Sequence, residues 1–260
     1  MTDSLPDGGA RDTVQRAAPL HRRIGAQAVL DMRTVLRNGE QLIITLVLPI
    51  LLLVMLVRTT LIDLGSADPI GLVAPGVLAL AVMSTSFTSQ AITTGFDRRN
   101  GVLRLLGTTP LGRGGLLAGR ISSVLVLEIG QLAVLSVVAA GLGWRPDLGG
   151  VPEAALVLLA GTAAFTSFAL LLAGVLRAEG VLAVANLVWV LLLAGGGVLL
   201  PATMLPGPLA HVAPWLPSGA LGDGLRAAFG GDGLHVAALL VLTGWAVGLG
   251  AAAARFFRWD

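Results

Sequence analysis

The 260-residue sequence contains no cysteine, no tyrosine and no lysine. Without cysteine the chain has neither disulfides nor thiolate metal sites. Its three histidines, His21, His211 and His235, are far apart and form no metal-ligand cluster. A phosphate-binding GxxxxGK[ST] loop needs a lysine, so the chain does not hydrolyse ATP by that route. We therefore predict no catalytic residues, no metal and no cofactor held by this chain.

Charge is also scarce. Charged residues make up 12% of the chain, against about 25% in typical soluble proteins. Hydrophobic residues make up 55%, mean hydropathy is +0.86, and several apolar runs reach the 18 to 20 or so residues that cross a bilayer as a helix. The isoelectric point of about 10.8 reflects arginine without lysine at a net charge of only +2, so nucleic-acid binding is not predicted. These features predict an all-α integral membrane protein.

The N-terminal region precedes the first apolar run. Residues 1–17 are polar and predicted to be a disordered cytoplasmic tail. In residues 18–38 the apolar and basic side chains separate at helical spacing onto two faces. This pattern predicts an amphipathic helix that lies at the membrane surface, although packing against a partner protein would produce the same pattern. The apolar face carries Ile24, Ala28, Met32, Val35 and Leu36, and the basic face carries Arg22, Arg23, Arg33 and Arg37.

Six membrane helices are predicted from the apolar runs at 41–57, 71–95, 115–142, 151–176, 181–200 and 234–254. The connection 201–233 contains five prolines and is too apolar for an ordinary loop. Its pieces 205–215 and 218–229 are too short to cross the bilayer, so we expect two re-entrant half-helices at the outer face. A plain outer loop is the alternative.

The arginines are distributed unevenly between the two sides of this topology. Fourteen of the seventeen fall on the side that holds both termini, and only Arg58, Arg145 and Arg226 fall on the other. Cytoplasmic segments are enriched in basic residues, so both termini are predicted to be cytoplasmic. Arginine without lysine, together with abundant alanine and glycine, suggests a bacterial source. The predicted location is therefore the bacterial cytoplasmic membrane.

The segment 97–110 interrupts the apolar runs with charge. It is predicted to be a short amphipathic cytoplasmic helix between the second and third spans, ended by Thr109-Pro110 because the residue before proline avoids helical geometry. A purely topological anchor is the alternative. One face of the helix carries Val102, Leu105 and Leu106 with Leu103 at its edge, and the other carries Asp97, Asn100, Gly101 and Arg104.

The order of these elements resembles the permease subunit of ABC-2 family exporters. That family has a Glu-Arg-Glu-x-Gly-Thr-Leu coupling motif followed by Thr-Pro, and the matching residues here are Asp97 to Leu103 and Thr109-Pro110, followed by Leu116, Leu117 and Gly119. Residues 72–87 resemble the family's second span, and residues 205–226 resemble its re-entrant segment. The resemblance implies a separate ABC ATPase subunit that holds ATP and Mg²⁺, and a second permease copy or a related permease.

The resemblance also implies which residues contact the ATPase. The implied coupling residues are Asp97, Arg98, Arg99, Gly101, Val102, Leu103, Arg104, Leu105, Leu106, Thr109 and Pro110. Two positions depart from the family motif, since Arg99 stands where the family has its second acid and Val102 where it has threonine. Asp97 is the acid that remains in the motif, so no acidic contact from position 99 is expected.

Four polar residues within the predicted spans are candidates for the transport pathway: Glu128, Gln131, Gln90 and Asn186. A charge at the depth of Glu128 is costly in lipid and is expected to face the bundle interior, where Gln131 is one turn away and could hydrogen-bond it. Glu128 either acts on a cationic substrate or gates the pathway, or else forms a structural bond between helices. The sequence leaves these readings open.

The predicted function is export of a hydrophobic drug-like or lipid-linked compound by an ATP-driven ABC transporter, in which this chain is the non-enzymatic permease. The lack of tyrosine argues against a polysaccharide or lipid-linked glycan, which the same architecture also exports. Two other classes remain as alternatives. One is a proton-coupled half-carrier that uses Glu128. The other is an intramembrane serine hydrolase that pairs Ser218 with His211 or His235, although Ser218 lacks a nucleophile elbow.

Overall fold

The computed structural model describes residues 39–58, 68–102 and 112–256, with the side chains of 39–44 and 112–118 outside the description. The predicted surface helix at 18–38 and residues 103–110 of the predicted coupling helix lie outside the described residues. All regular secondary structure of the described ranges is helical. This confirms the all-α fold class.

The described helices are numbered here in chain order. They are α1 (Gly39–Arg58), α2 (Pro69–Arg99), α3 (Gly112–Gly141), α4 (Val151–Val175), α5 (Ala178–Gly195), α6 (Leu209–Val212), α7 (Pro217–Gly230) and α8 (Val236–Phe256). Among the described residues, five helices are long and apolar enough to cross a membrane, and they include α2, α4, α5 and α8 as well as residues 119–141 of α3. The apolar part of α1, Thr45–Arg58, is shorter.

Helix α2 lies at the centre of the bundle. It begins where the Asp68 side chain accepts a hydrogen bond from the Gly71 amide at 3.1 Å, with Pro69 in the first turn. Every residue from Val73 to Met83 is buried, and α2 packs against α1, α3, α4 and α7. A helix that is apolar on all sides is expected where protein surrounds it completely.

Helix α2 is interrupted by a π-helical turn at Ser84–Ser89. The turn separates an N-terminal part, Pro69–Met83, from a C-terminal part, Gln90–Arg99. Phe87 in this turn stacks on Phe168 of α4, with the ring centroids 4.7 Å apart. The π turn is therefore packed inside the bundle.

The C-terminus of α2 corrects one boundary of the predicted topology. Asp97, Arg98 and Arg99 belong to the last turn of α2 and do not begin a separate coupling helix. The reason is the position of the helix stop: Gly101 adopts a φ of +74°, a left-handed conformation that glycine reaches without strain, and ends α2 after Arg99. After this turn the backbone is helical again at Val102.

The connection between α5 and α8 differs from two half-helices. The predicted piece 218–229 corresponds to α7, which starts with Pro217 in its first turn. The predicted piece 205–215 is instead the single turn α6 followed by a 3₁₀ turn, Ala213–Trp215. Pro206, Pro208 and Pro214 remove backbone donors from this stretch and prevent a longer helix.

Helix α7 is held against α2 and the end of α5 by close backbone contacts. A Cβ atom at Gly76 of α2 would lie 2.7 Å from the Leu199 carbonyl oxygen, and one at Gly222 of α7 would lie 2.8 Å from the Val198 carbonyl oxygen. Both glycines are therefore required by the approach of the backbones. Only glycine fits such a site without displacing the neighbouring chain.

Arg226 of α7 closes the same end of the bundle. It donates to the Val198 carbonyl oxygen at 2.7 Å and to the Asp223 carboxylate at 2.7 Å. Burial raises the pKa of Asp223 above its ordinary value, and the charge of Arg226 opposes that shift. Arg226 thus joins α7 to the backbone that follows α5.

A Gly76→Ala variant tests this packing. We expect it to lower the free energy of unfolding by about 1–3 kcal/mol, because the new methyl group overpacks the contact with the backbone of residues 198 and 199. The measurement is thermal unfolding of the purified protein in detergent. Gly130→Ala is the matched control, since a Cβ there meets nothing within 4 Å. Equal stability of the two variants would contradict the close contact.

Candidate functional site: the C-terminal end of α2

Asp97 joins α2 to α3. Its carboxylate accepts a hydrogen bond from the guanidinium of Arg120, and the two side chains are 26% and 8% exposed. Because a buried arginine needs a partner for its charge, this ion pair fixes the start of α3 beside the end of α2. Arg120 did not appear among the residues predicted for this site.

Arg98 joins α2 to α4. Its Nη1 donates to the carbonyl oxygens of Ala173 at 2.8 Å and Gly174 at 3.0 Å, with a longer contact to Leu176 at 3.3 Å. The last carbonyl groups of an α-helix have no partner within the helix, and a cation there is favoured by the helix dipole. Arg98 therefore caps the C-terminus of α4.

Arg99 joins α2 to α5. Its Nη1 lies 2.6 Å from Oε1 of Glu179 in the first turn of α5, with both side chains more than half exposed. Glu179 thus supplies the acid that pairs with Arg99. Glu179 was also missed from sequence, because the two residues are 80 positions apart.

We refer to Asp97, Arg98, Arg99, Arg120 and Glu179 as the charge network. Three consecutive residues at the end of one helix contact three other helices. Two further predicted coupling residues follow directly. Gly101 forms the turn, and Val102 is 38% exposed. The others lie outside the described residues. The connection to α3 therefore begins at a point that is bonded to α3, α4 and α5.

A second polar cluster surrounds the π turn of α2. Thr85 donates to Oε1 of Gln131 at 2.8 Å, and Nε2 of Gln131 donates to the Thr45 carbonyl oxygen at 2.9 Å. On the other side, Nε1 of Trp189 donates to Oγ of Ser84 at 3.0 Å. The π turn is thus hydrogen-bonded to α3 and α5, and Gln131 continues the chain of bonds to α1. Such interhelical bonds are expected of polar groups in a membrane interior.

Glu128 does not bond Gln131, contrary to expectation. It is 2% exposed, and Oε2 accepts a hydrogen bond from Thr162 of α4. Gln90 and Gln131 are also buried, whereas Asn186 is exposed on α5. Of the four pathway candidates, Asn186 is therefore the one at the surface of the protomer.

The serine and histidines of the hydrolase alternative are not brought together as a dyad. Ser218 is buried and donates to the Gly196 carbonyl oxygen at 2.9 Å, while Nδ1 of His235 accepts from the Ala238 amide at 3.1 Å. His211 is exposed. Within the described part of the chain, no group of three or more His, Cys, Asp or Glu side chains has the arrangement of a metal site.

The family model of the ABC-2 type transporter matches residues 27–229. The chain therefore belongs to the ABC-2 type transporter family. It is an integral membrane protein and the membrane permease of an ABC transporter, a class that works with an ABC ATPase. No curated protein matches the sequence.

The buried ion pair of the charge network gives a direct prediction. Asp97→Asn leaves the Arg120 guanidinium buried without a counter-charge, and we expect a loss of about 2–4 kcal/mol in the free energy of unfolding. Glu179→Gln, at the exposed ion pair, is the control and is expected to cost less than about 1 kcal/mol. Denaturant titration of the purified protein measures both. The reverse order would show that the Asp97 pair is not the structural one.

Glu128→Gln separates a structural from a chemical role of this carboxyl group. The amide keeps an acceptor for Thr162, so transport and stability are expected to stay close to wild type. Glu128→Leu removes the acceptor and is expected to cost about 1–3 kcal/mol. Dye transport into proteoliposomes and thermal unfolding are the measurements. Lost transport in a stably folded Glu128→Gln protein would favour the proton-coupled carrier.

Proposed function

We propose that this permease couples to its separate cytoplasmic ATPase through the connection between α2 and α3. The observation that carries the proposal is the charge network, which ties the start of that connection to α3, α4 and α5 at once. A force applied to the connection by ATPase closure would be passed to these helices together. A connection attached to α2 alone would move only that helix.

The network also supports a division of roles among the implied coupling residues. Asp97, Arg98 and Arg99 already have partners within the protomer, so their charges serve to hold the helices. Contact with the ATPase then falls to residues 102–110. We assign Leu103, Leu105 and Leu106 to a cleft of the ATPase and Arg104 to a polar contact at its edge.

We propose that the cargo is a hydrophobic drug-like or lipid-linked compound, exported between two copies of the permease. Glu128, Gln90 and Gln131 are turned into the protomer, which leaves a largely apolar exposed surface on α5 with Asn186 as its amide. An apolar pathway suits an apolar cargo, because desolvation of a sugar polymer there would leave its hydroxyl groups unpaired.

A double substitution in the connection tests the coupling. Arg104→Asp with Leu105→Asp is expected to abolish stimulation of ATP hydrolysis and transport, while insertion and folding stay normal. The measurement uses proteoliposomes that contain permease and ATPase, with ATP hydrolysis and uptake of a fluorescent hydrophobic dye followed in parallel. The physical reason is that two carboxylates cannot enter an apolar cleft without a large desolvation cost.

The control applies the same change at the opposite end of the bundle. Arg145 and Leu148 are both exposed in the connection between α3 and α4. Arg145→Asp with Leu148→Asp should leave coupled transport intact. Normal transport by the Arg104/Leu105 variant, or equal loss in both, would contradict coupling through the α2–α3 connection.

A further inference from the structure

The π turn Ser84–Ser89 lies between two α-helical parts of α2. A π turn contains one residue more than the α-helical turn that would replace it. The residues after it therefore face one position away from where they would lie in a continuous α-helix. We propose that this turn is a register switch, in which conversion to α-helix rotates the C-terminal part of α2 by about 100°, advances it by about 1.5 Å and opens the bonds of the charge network at its end.

Hydroxyl groups make two backbone arrangements accessible at the switch. Ser84 Oγ donates to the Leu80 carbonyl oxygen at 2.8 Å, and Ser86 Oγ donates to the Val82 carbonyl oxygen at 2.6 Å. Both carbonyl groups lie one turn earlier, and the Leu80 carbonyl oxygen also accepts a hydrogen bond from the Ser84 amide. Such back-bonding supplies donors to carbonyl groups that a change of register leaves unpaired.

Unpaired polar atoms are concentrated on the π turn and on the segment that would rotate. Among the described residues, seven buried side-chain polar atoms lack a hydrogen-bond partner, and three are Thr88 Oγ1, Gln90 Oε1 and Thr94 Oγ1. Buried polar atoms are nearly always paired in a stable arrangement. A second register would re-aim all three at once, because they follow each other within two turns of α2.

The facing helices offer partners for such a rotation. Thr166 Oγ1 of α4 is also buried and unpaired, and Glu128 of α3 lies beside Ser86 of the π turn. Both helices pack against the π turn. The N-terminal part of α2, buried from Val73 to Met83, is the fixed reference against which the C-terminal part turns. In the π register, therefore, polar groups remain unpaired, and the buried N-terminal part of α2 can support the C-terminal part in a second register.

The contact between α2 and α5 reports the register. A Cβ atom at Gly95 would lie 3.4 Å from Cβ of Val181, close to the separation of about 3.5–4.5 Å that a disulfide requires. Conversion of the π turn to α-helix moves Thr94 into the place of Gly95. The pair 95–181 therefore reports the π register, and the pair 94–181 reports the α register.

The experiment uses disulfide trapping in membranes, which the absence of native cysteine makes specific. One double variant is Gly95→Cys with Val181→Cys, and the other is Thr94→Cys with Val181→Cys. Both are expected to form an intramolecular disulfide under copper-phenanthroline oxidation. Single-cysteine variants set the background in the mobility assay.

Deletion of Ser89 is the matched control. Removing one residue from the π turn produces a continuous α-helix in which the C-terminal part keeps its present facing, so no second register remains. In this background the 95–181 pair should still cross-link, and the 94–181 pair should fall to the single-cysteine background. Absence of 94–181 cross-linking in the full-length chain, or equal cross-linking after the deletion, would overturn the switch.

Cross-linking in the permease alone does not depend on the ATPase, whereas the use of the switch in transport rests on the proposed function. The oxidised 95–181 disulfide should block ATP-driven dye transport, and reduction should restore it. Undiminished transport by the cross-linked protein would overturn the role of the switch in transport. This outcome can be told apart from failure of the coupling proposal, because the Arg104/Leu105 variant tests that proposal separately.

Discussion

The enclosure of α2 from Val73 to Met83 is the constraint on which the rest of the structure depends. A helix buried within a membrane protein has no water to satisfy its polar groups, so a stable arrangement pairs them with another helix or with the helix's own backbone. Thr85 and Ser84 do so at mid-helix through Gln131 and Trp189. Asp97 does so at the end through Arg120. The hydrogen bonds of α2 thereby determine where its neighbours lie.

The same constraint gives the two ends of α2 different properties. The N-terminal part is apolar and close-packed, with Gly76 against the backbone that follows α5. The C-terminal part carries threonine, glutamine and charged side chains that are hydrogen-bonded in some cases and unpaired in others. The part N-terminal to the π turn is rigidly packed, and the polar groups C-terminal to it are incompletely paired. This difference allows one half of the helix to move against the other.

The sequence was sufficient to predict the all-α fold, because long apolar runs in a chain with so little charge allow no other arrangement. It also placed Asp97, Arg98 and Arg99 at a cytoplasmic junction, a location that stays a prediction. The structure places these three residues in the last turn of α2, and a signal for that boundary was present in the sequence. Asn100-Gly101 is the sequence expected at a helix C-terminus, and it places the end of α2 after Arg99.

The partners in the site could not be predicted from the sequence. Arg120 and Glu179 lie 23 and 80 residues from the groups they bind, so their roles depend on how whole helices pack. The bond of Glu128 to Thr162 in place of Gln131 has the same origin. The π turn is also hidden, since "STSFTS" has no hydrophobic period that distinguishes a π turn from an α turn.

We infer that the C-terminal part of α2 moves against its N-terminal part when the ATPase binds ATP. Paired spin labels at Thr93 and Leu148, both exposed, measure this movement in the permease–ATPase complex. A second pair at Pro69 and Leu148 provides the fixed reference. We expect ATP to shift the Thr93–Leu148 distance by several ångströms and to leave the reference distance unchanged. Two unchanged distances, or equal shifts in both, would contradict it.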